Sequence, residues 1–201
     1  SFEKAQSGFM VADPLTLYDC CPTSDGASAI ILVADHLANK FTDTPVWVKG
    51  SGAGSDHLAL HDRPSLTQLR ATQSAVAKAY ATAGLGANDI DLAEVHDCFT
   101  IAEVLATEDL GFASRGMGGH FARTGEGRRN EGSVTINASG GLKSKGHPLG
   151  ATGTGQAVEV FKQLRYQVEP VRQVRDAEVG LTHNVGGSGA TCAVHVFGRE
   201  R

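Results

Sequence analysis

The order of apolar patterns in this sequence predicts an α/β fold, a sheet covered by helices, with ligands met at loop ends rather than within the sheet. Three observations carry that expectation. From residue 46 onward, short strand-type runs alternate with helix-type stripes across short connections. The last two strand-type runs follow one another directly, as a hairpin. Glycine makes up 25 of 201 residues and is clustered, which marks places where backbone turns tightly or approaches something closely.

The elements follow in order. Ala27 to Val33 is expected as a buried strand, with Ala34 to Asn39 a following helical turn, and Thr42-Asp43-Thr44-Pro45 breaks the chain there. Val46 to Lys49 is a short strand, and a polar loop leads to a helix start at Asp62 and Pro64. Leu66, Leu69, Val76 and Tyr80 recur at near-helical spacing until Gly84 closes that helix. Leu92 to Val95 is a strand, and Thr100 to Leu110 a helix. Gly111 to Gly132 has no usable period and is expected as a loop. Val134 and Ile136 belong to a third strand. Gly153, Ala157, Val160, Phe161 and Leu164 trace a helical stripe that ends near Arg165. Val179 to Thr182 and Ala190 to Phe197 alternate as two strands joined by the turn Gly186 to Gly189.

Composition narrows the function. With 18 Lys+Arg against 22 Asp+Glu, a formal charge of −4, the chain lacks the cationic surface that nucleic acid or an anionic membrane requires. The longest uninterrupted apolar run, Ala29 to Ala34, is far short of a bilayer span, and no basic-then-apolar leader opens the sequence, so a soluble, cytoplasmic protein is expected. The four cysteines, Cys20, Cys21, Cys98 and Cys192, form no Cys-x-x-Cys pair, which indicates neither a disulfide scaffold nor a structural zinc site. Cys20, Cys21 and Cys192 are expected as small buried apolar residues.

Three loops hold the residues that can carry chemistry. His96-Asp97-Cys98-Phe99 puts an imidazole and a thiol at a strand end, where both titrate near neutrality in suitable surroundings; from spacing alone, a buried Cys98 and a helix-capping His96 are the favoured reading. The long run Asn137 to Gly153 holds His147 between Gly146 and Pro148 at the mouth of a helix, whose positive dipole end favours a neutral ring able to act as a base. A plain helix cap needs neither the histidine nor so many glycines. The third, His183 to Gly189, exposes glycine amides that suit an anion-stabilising pocket and equally suit a flexible turn.

In this order, His96-Asp97-Cys98-Phe99, Gly146-His147-Pro148 and Asn184-Val185-Gly186 resemble the C-terminal half of the thiolase family, with Asn184 where most thiolases carry cysteine. Ser24-Asp25-Gly26-Ala27 resembles the end of the family's N-terminal half. The His-Asp-Cys-Phe loop is similar to that of the archaeal and sterol-carrier-protein-type branch. The resemblance implies a mixed sheet covered by helices, half of a five-layer αβαβα architecture. Residues 1–45 would end the N-terminal domain, and 46–201 would form the C-terminal domain.

The resemblance also implies an acetyl-CoA C-acyltransferase that forms or cleaves a 3-oxoacyl-CoA. In it His147 would activate the nucleophilic thiol and Cys98 would move the α-proton. His96, with a water, would hold a thioester oxygen, and the N–H of Gly186 would complete a second oxyanion hole. Asn184, Ser139, Gly140 and Phe99 would line the substrate. Coenzyme A enters as substrate thioester, with no cofactor and no metal. The nucleophile lies in the family's N-terminal half, so this chain, whose Ser1 start suggests a processed, split or partial polypeptide, is expected to be inactive alone and to partner that half. Homo-oligomers are expected, and a zinc-ribbon and OB-fold partner is a further implication for the archaeal type. Two other readings stand beside it: a thiolase-like aldolase acting on a branched or steroid acyl-CoA, and a non-catalytic assembly subunit. Arg115, Arg123, Arg128 and Arg129, with Lys143 and Lys145, are expected as solvated charges, coenzyme A phosphates being the alternative.

Overall fold

A computed structural model describes residues 2–201. A short helix, α1 (Phe2–Gln6), precedes a two-stranded hairpin of β1 (Met10–Ala12) and β2 (Leu15–Thr16). The body is built from β3 (Trp47–Ser55), α2 (Arg70–Ala83), β4 (Leu92–Glu94), α3 (Thr100–Asp109), α4 (Gly118–Thr124), β5 (Thr135–Ile136), α5 (Gly141–Lys145), α6 (Thr152–Leu164), β6 (Val179–Gly186) and β7 (Thr191–Gly198). The order expected from residue 46 is present, with α4 and α5 added. The five body strands form one mixed sheet in the order β3-β7-β6-β4-β5. β4 runs parallel to both β5 and β6, while β7 is antiparallel to β6 and β3.

Each sheet face buries its own core. Ala93 and Val95 face α2, α3 and α4, together with Leu181, Cys192, Val194 and Val196. Leu92, one residue out of phase on β4, packs instead with Ala157, Val160 and Leu164 of α6. α2 lies unusually close to β3. A Cβ at Gly50, Gly52 or Gly54 would stand 2.1, 2.0 or 2.2 Å from the carbonyl oxygens of Ala79, Ala75 and Ala71. Alternate glycines on the strand and alanines every fourth residue on the helix therefore let the two backbones touch.

This packing corrects two expectations. β3 runs to Ser55 rather than Lys49, because its glycines are chosen for contact with α2 and not for strand propensity. α2 begins at Arg70 rather than near Pro64: only a 3-10 turn, Leu60–Asp62, forms there, and the buried face is Ala71, Thr72, Ala75, Val76 and Ala79, with Leu66 exposed. Within the stretch expected as a loop, α4 forms and buries Phe121 beneath α3. β6 extends through Gly186, so His183 and Asn184 are strand residues and only the turn beyond Gly186 is a hairpin tip.

The largest correction lies in the N-terminal segment. Residues 27–33 form no strand; Ile31 is 89% and Leu32 74% exposed. An apolar run becomes a strand only when an edge accepts its hydrogen bonds, and no described strand pairs with this one. The helical turn expected next is a 3-10 helix at Asp35–Lys40. Cys20 and Cys21 are half-buried rather than core residues, whereas Cys192 is buried. No helix among the described residues is long and apolar enough to cross a membrane.

Candidate active site

The three loops meet where β4 and β6 end. Asn137, in the left-handed region at φ 52°, ties the first loop to the second: its Oδ1 accepts the N–H of Val95 at 2.8 Å, and its Nδ2 donates to Glu103 at 3.0 Å. Asp97 then receives the N–H groups of Leu142 at 2.7 Å and Lys143 at 3.4 Å, binding the start of α5. Only glycine fits at 141, since a Cβ there would lie 2.2 Å from the Asp97 carboxylate. Glu94, 1% exposed, holds the second loop by accepting from the N–H of Ser139 at 3.0 Å and from its hydroxyl, while Lys145 donates to both side chains. Burial pushes the carboxyl groups of Glu94, Asp97 and Glu103 upward in pKa.

His147 stands edge-on to His96, with ring centroids 4.8 Å apart. Its partner is Thr152, the first residue of α6, at 2.7 Å from Nδ1. The Thr152 hydroxyl donates to the carbonyl of Pro148 at 3.1 Å, so it accepts from His147 Nδ1–H and leaves Nε2 with a free lone pair. Burial holds the His147 pKa below its ordinary value, with Asp97 opposing.

His96 is buried, and its pKa is pushed down to about 4 by burial and by His147 beside it. Its Nδ1 faces the Asn184 Nδ2 at 3.1 Å. Asn184 Nδ2 also donates to Gln156 Oε1 at 3.2 Å, and Gln156 Nε2 donates to the backbone carbonyl of His183 at 3.1 Å. His183 is fully buried against Thr72, with its pKa pushed to about 3 by burial and then by His96. Three imidazoles are therefore held neutral near pH 7, one of them with a basic nitrogen facing the loop cluster.

Cys98 follows at the mouth of α3 and sits beside Cys21, whose N–H donates to the Cys98 carbonyl at 2.9 Å; Cys20 bridges Phe99. Burial and then the Cys21 thiol raise the Cys98 pKa, so it rests as a thiol. Phe99 is 42% exposed. Gly140 caps α5 in the left-handed region, and the Ser139 hydroxyl is committed to Glu94 and Lys145. Gly186 ends β6 opposite Thr191. The tip beyond it is a braced turn: Arg63 donates to the carbonyls of Ser188 at 2.7 Å and Gly187 at 3.5 Å.

A second clasp comes from the N-terminal segment. Ser28 Oγ donates to the Ala151 carbonyl at 2.7 Å, and a Cβ at Gly146 would lie 2.1 Å from Ser24 Oγ. Residues 23–28 thus line one side of the shallow cavity whose other side is His147 to Ala151. Among the cations of interest, Arg115 pairs with Asp109 at 2.7 Å and Lys145 with Glu94 at 3.3 Å. Among the described residues, no group of three or more His, Cys, Asp or Glu side chains is arranged for a metal ion. Sequence reasoning missed Gln156 and Thr152. The available signal for Gln156 was a glutamine at helical spacing with Val160, Gln163 and Leu164 on the buried stripe of α6.

Comparison with known proteins yields three findings. Residues 52–199 match the family described as Thiolase C-terminal domain-like. The chain is 52% identical to the acetyl-CoA acetyltransferase of Methanothermobacter thermautotrophicus over 98% of its own length and 51% of that protein's, and 38% identical to sterol carrier protein 2 of Oryctolagus cuniculus over 94% and 35%. It thus spans about half the length of the archaeal relative and about a third of the rabbit protein. Among solved structures, an Ltp2-ChsH2(DUF35) aldolase shares the fold, with a TM-score of 0.85 at 24% identity over 100% of this chain and 52% of that one.

Proposed function

Because this chain belongs to the thiolase family, we propose that it supplies the C-terminal catalytic loops of an acetyl-CoA C-acyltransferase and acts with an N-terminal half that carries the nucleophilic cysteine. The observation that carries this reading is the neutral His147, whose Nδ1–H is committed to Thr152 and whose Nε2 is free to accept a proton. That nitrogen takes the proton of the nucleophilic thiol. In thiolysis, the thiolate attacks the 3-oxo carbon of the acyl-CoA and the bond between C2 and C3 breaks. The acetyl-CoA enolate leaves and takes its proton from Cys98, which burial keeps in the thiol form. Free coenzyme A then attacks the acyl-enzyme, its thiol proton passing to the Cys98 thiolate; the enzyme's cysteine leaves, regains its proton from His147, and the shortened acyl-CoA is released. His96 Nε2–H and the Gly186 amide serve the two oxyanions, and Asn184, Ser139, Gly140 and Phe99 line the acyl-CoA path. Coenzyme A is substrate, and the chemistry calls for no further cofactor.

The exposed apolar run Ile30 to Val33 fits docking to the N-terminal half, and residues 1–45 then belong to the boundary between the halves. Homo-oligomers, a zinc-ribbon and OB-fold partner, and a cytoplasmic site of action accompany this reading. A lyase on the same fold forms no acyl-enzyme and has no use for a base beside a thiol, so the retained Gly146-His147-Pro148 loop favours acyl transfer. The test is co-expression with the N-terminal half of the Methanothermobacter relative, that relative's own two halves serving as positive control, followed by an assay of acetoacetyl-CoA thiolysis. Activity is expected to fall about 100-fold or more in His147→Ala and in Cys98→Ala. Full activity in either variant would remove that residue from the mechanism.

A further inference from the structure

We infer that Gln156, buried in α6 with no contact assigned to substrate, is the positioning residue that fixes which nitrogen of His96 carries the proton. The argument starts from a group with no choice. The backbone carbonyl of His183 can only accept, and it lies 3.1 Å from Gln156 Nε2. The Gln156 amide must therefore present its NH₂ to that carbonyl and its oxygen to the other side. Asn184 lies there at 3.2 Å and must present its own NH₂, since two amide oxygens would repel. The same NH₂ reaches His96 Nδ1 at 3.1 Å, so Nδ1 holds a lone pair and the proton sits on Nε2. One backbone acceptor, relayed through two side-chain amides, thus removes the usual ambiguity of amide flips and imidazole tautomers.

The result is chemically specific. An imidazole with Nε2–H donates a hydrogen bond from its outer nitrogen; the other tautomer would present a lone pair and repel a developing oxyanion. Gln156 is 0% exposed and uses both ends of its amide, so it has no slack to reorient. Gln163, one heptad further along α6, is an internal contrast. It is equally buried, but its amide serves Glu159, the Arg172 carbonyl and the Val174 amide, all remote from the histidines. The inference deepens the proposed acyl transfer and rests on it only for its kinetic consequence.

The test is a two-bond ¹⁵N–¹H correlation spectrum of the ring-labelled chain near pH 7. Wild type is expected to show His96 as a single Nε2–H tautomer; an Nδ1–H ring there would overturn the inference before any variant is made. Gln156→Met is expected to release Asn184 and mix the two tautomers, whereas Gln163→Met leaves His96 unchanged. A pure Nε2–H tautomer in folded Gln156→Met would equally overturn it. With the N-terminal half present, Gln156→Met is expected to lower the kcat of thiolysis in proportion to the Nε2–H tautomer lost, about twofold for an even mixture, with KM unchanged. Absence of thiolysis in wild type, with the tautomers as expected, would count against acyl transfer and leave the role of Gln156 standing.

Discussion

Residues 21–34 and residues 46–55 pose the same question to the chain and receive opposite answers. The first stretch ends in the apolar run Ile30-Ile31-Leu32-Val33, yet it forms no strand, with Ile31 89% exposed. The second carries glycine at 50, 52 and 54, yet it is the nine-residue strand β3, bonded along its length to β7. The difference teaches that local propensity is secondary to the availability of an edge and a face. β3 has both, a neighbour strand on one side and the alanine face of α2 at van der Waals contact. The Ile30 to Val33 run pairs with no strand among the described residues, and Ile31 and Leu32 are left largely uncovered.

The sharpest way to break that comparison is to take the close approach away from β3. In Gly52→Val the new Cβ meets the Ala75 carbonyl, a backbone atom that cannot swing aside as a flexible side chain would. Equilibrium urea unfolding should report a loss of about 3 kcal/mol or more, at the upper end of overpacking effects. A loss below about 1 kcal/mol would mean that α2 and β3 separate easily and that the glycines are incidental.

The contrast also explains what the sequence could disclose. Helix α6, the strands at the hairpin and the three histidine-bearing loops were legible because their apolar periods or glycine clusters are local signals. β3 was legible only at its start, Val46 to Lys49, because its glycine-rich continuation to Ser55 is selected by contact with α2, a helix distant in the chain. The site divides in the same manner. His96, Cys98 and His147 stand in recognisable loops, but Gln156 acquires meaning only when β6 brings Asn184 and the His183 carbonyl to its two ends. The pairing of Cys21 with Cys98 was equally invisible, since a segment outside any strand or helix supplies one member.

The N-terminal stretch does meet the body at the His147 loop. Gly146 has φ 90°, and a Cβ there would strike Ser24 Oγ. Gly146→Ala should cost about 2 kcal/mol, part from left-handed backbone strain and part from the clash. Ser24→Gly in the same chain should recover only the clash. A double-mutant cycle is expected to give a coupling of about 1 kcal/mol, and a coupling near zero would mean that residues 23–28 do not grip the His147 loop.

A further effect comes from protons. The folded pKa of His96, about 4, lies below its ordinary 6.5, so the unfolded chain takes up a proton first as pH falls. Its contribution to stability is complete above pH 6.5 and is lost as pH drops toward 4. The buried carboxyls of Glu94, Asp97 and Glu103 run the other way, their raised pKa values making their contribution fade as pH rises. The clean measurement is therefore a difference: between pH 6.5 and 4, wild type should lose stability more steeply than His96→Asn, by at most about 1.4 kcal/mol per pH unit. Parallel curves would show that the ring is not held neutral by the fold.

The smallest expected effect bears most directly on the N-terminal segment. Ile31 and Leu32 are 89% and 74% exposed, so replacing both with serine removes little buried surface from this chain, and urea unfolding should shift by no more than about 0.5 kcal/mol. The same pair of substitutions should weaken capture of the N-terminal half, because two large aliphatic side chains transferred out of water contribute roughly 1.5–3 kcal/mol each when fully covered. Stability and association are thus expected to respond in opposite proportion to those for Gly52→Val, where the damage is internal. If Ile31→Ser with Leu32→Ser destabilises the isolated chain as strongly as the glycine variant, the run is already part of a core here. The apolar pattern would then be answered within these residues rather than by a partner half.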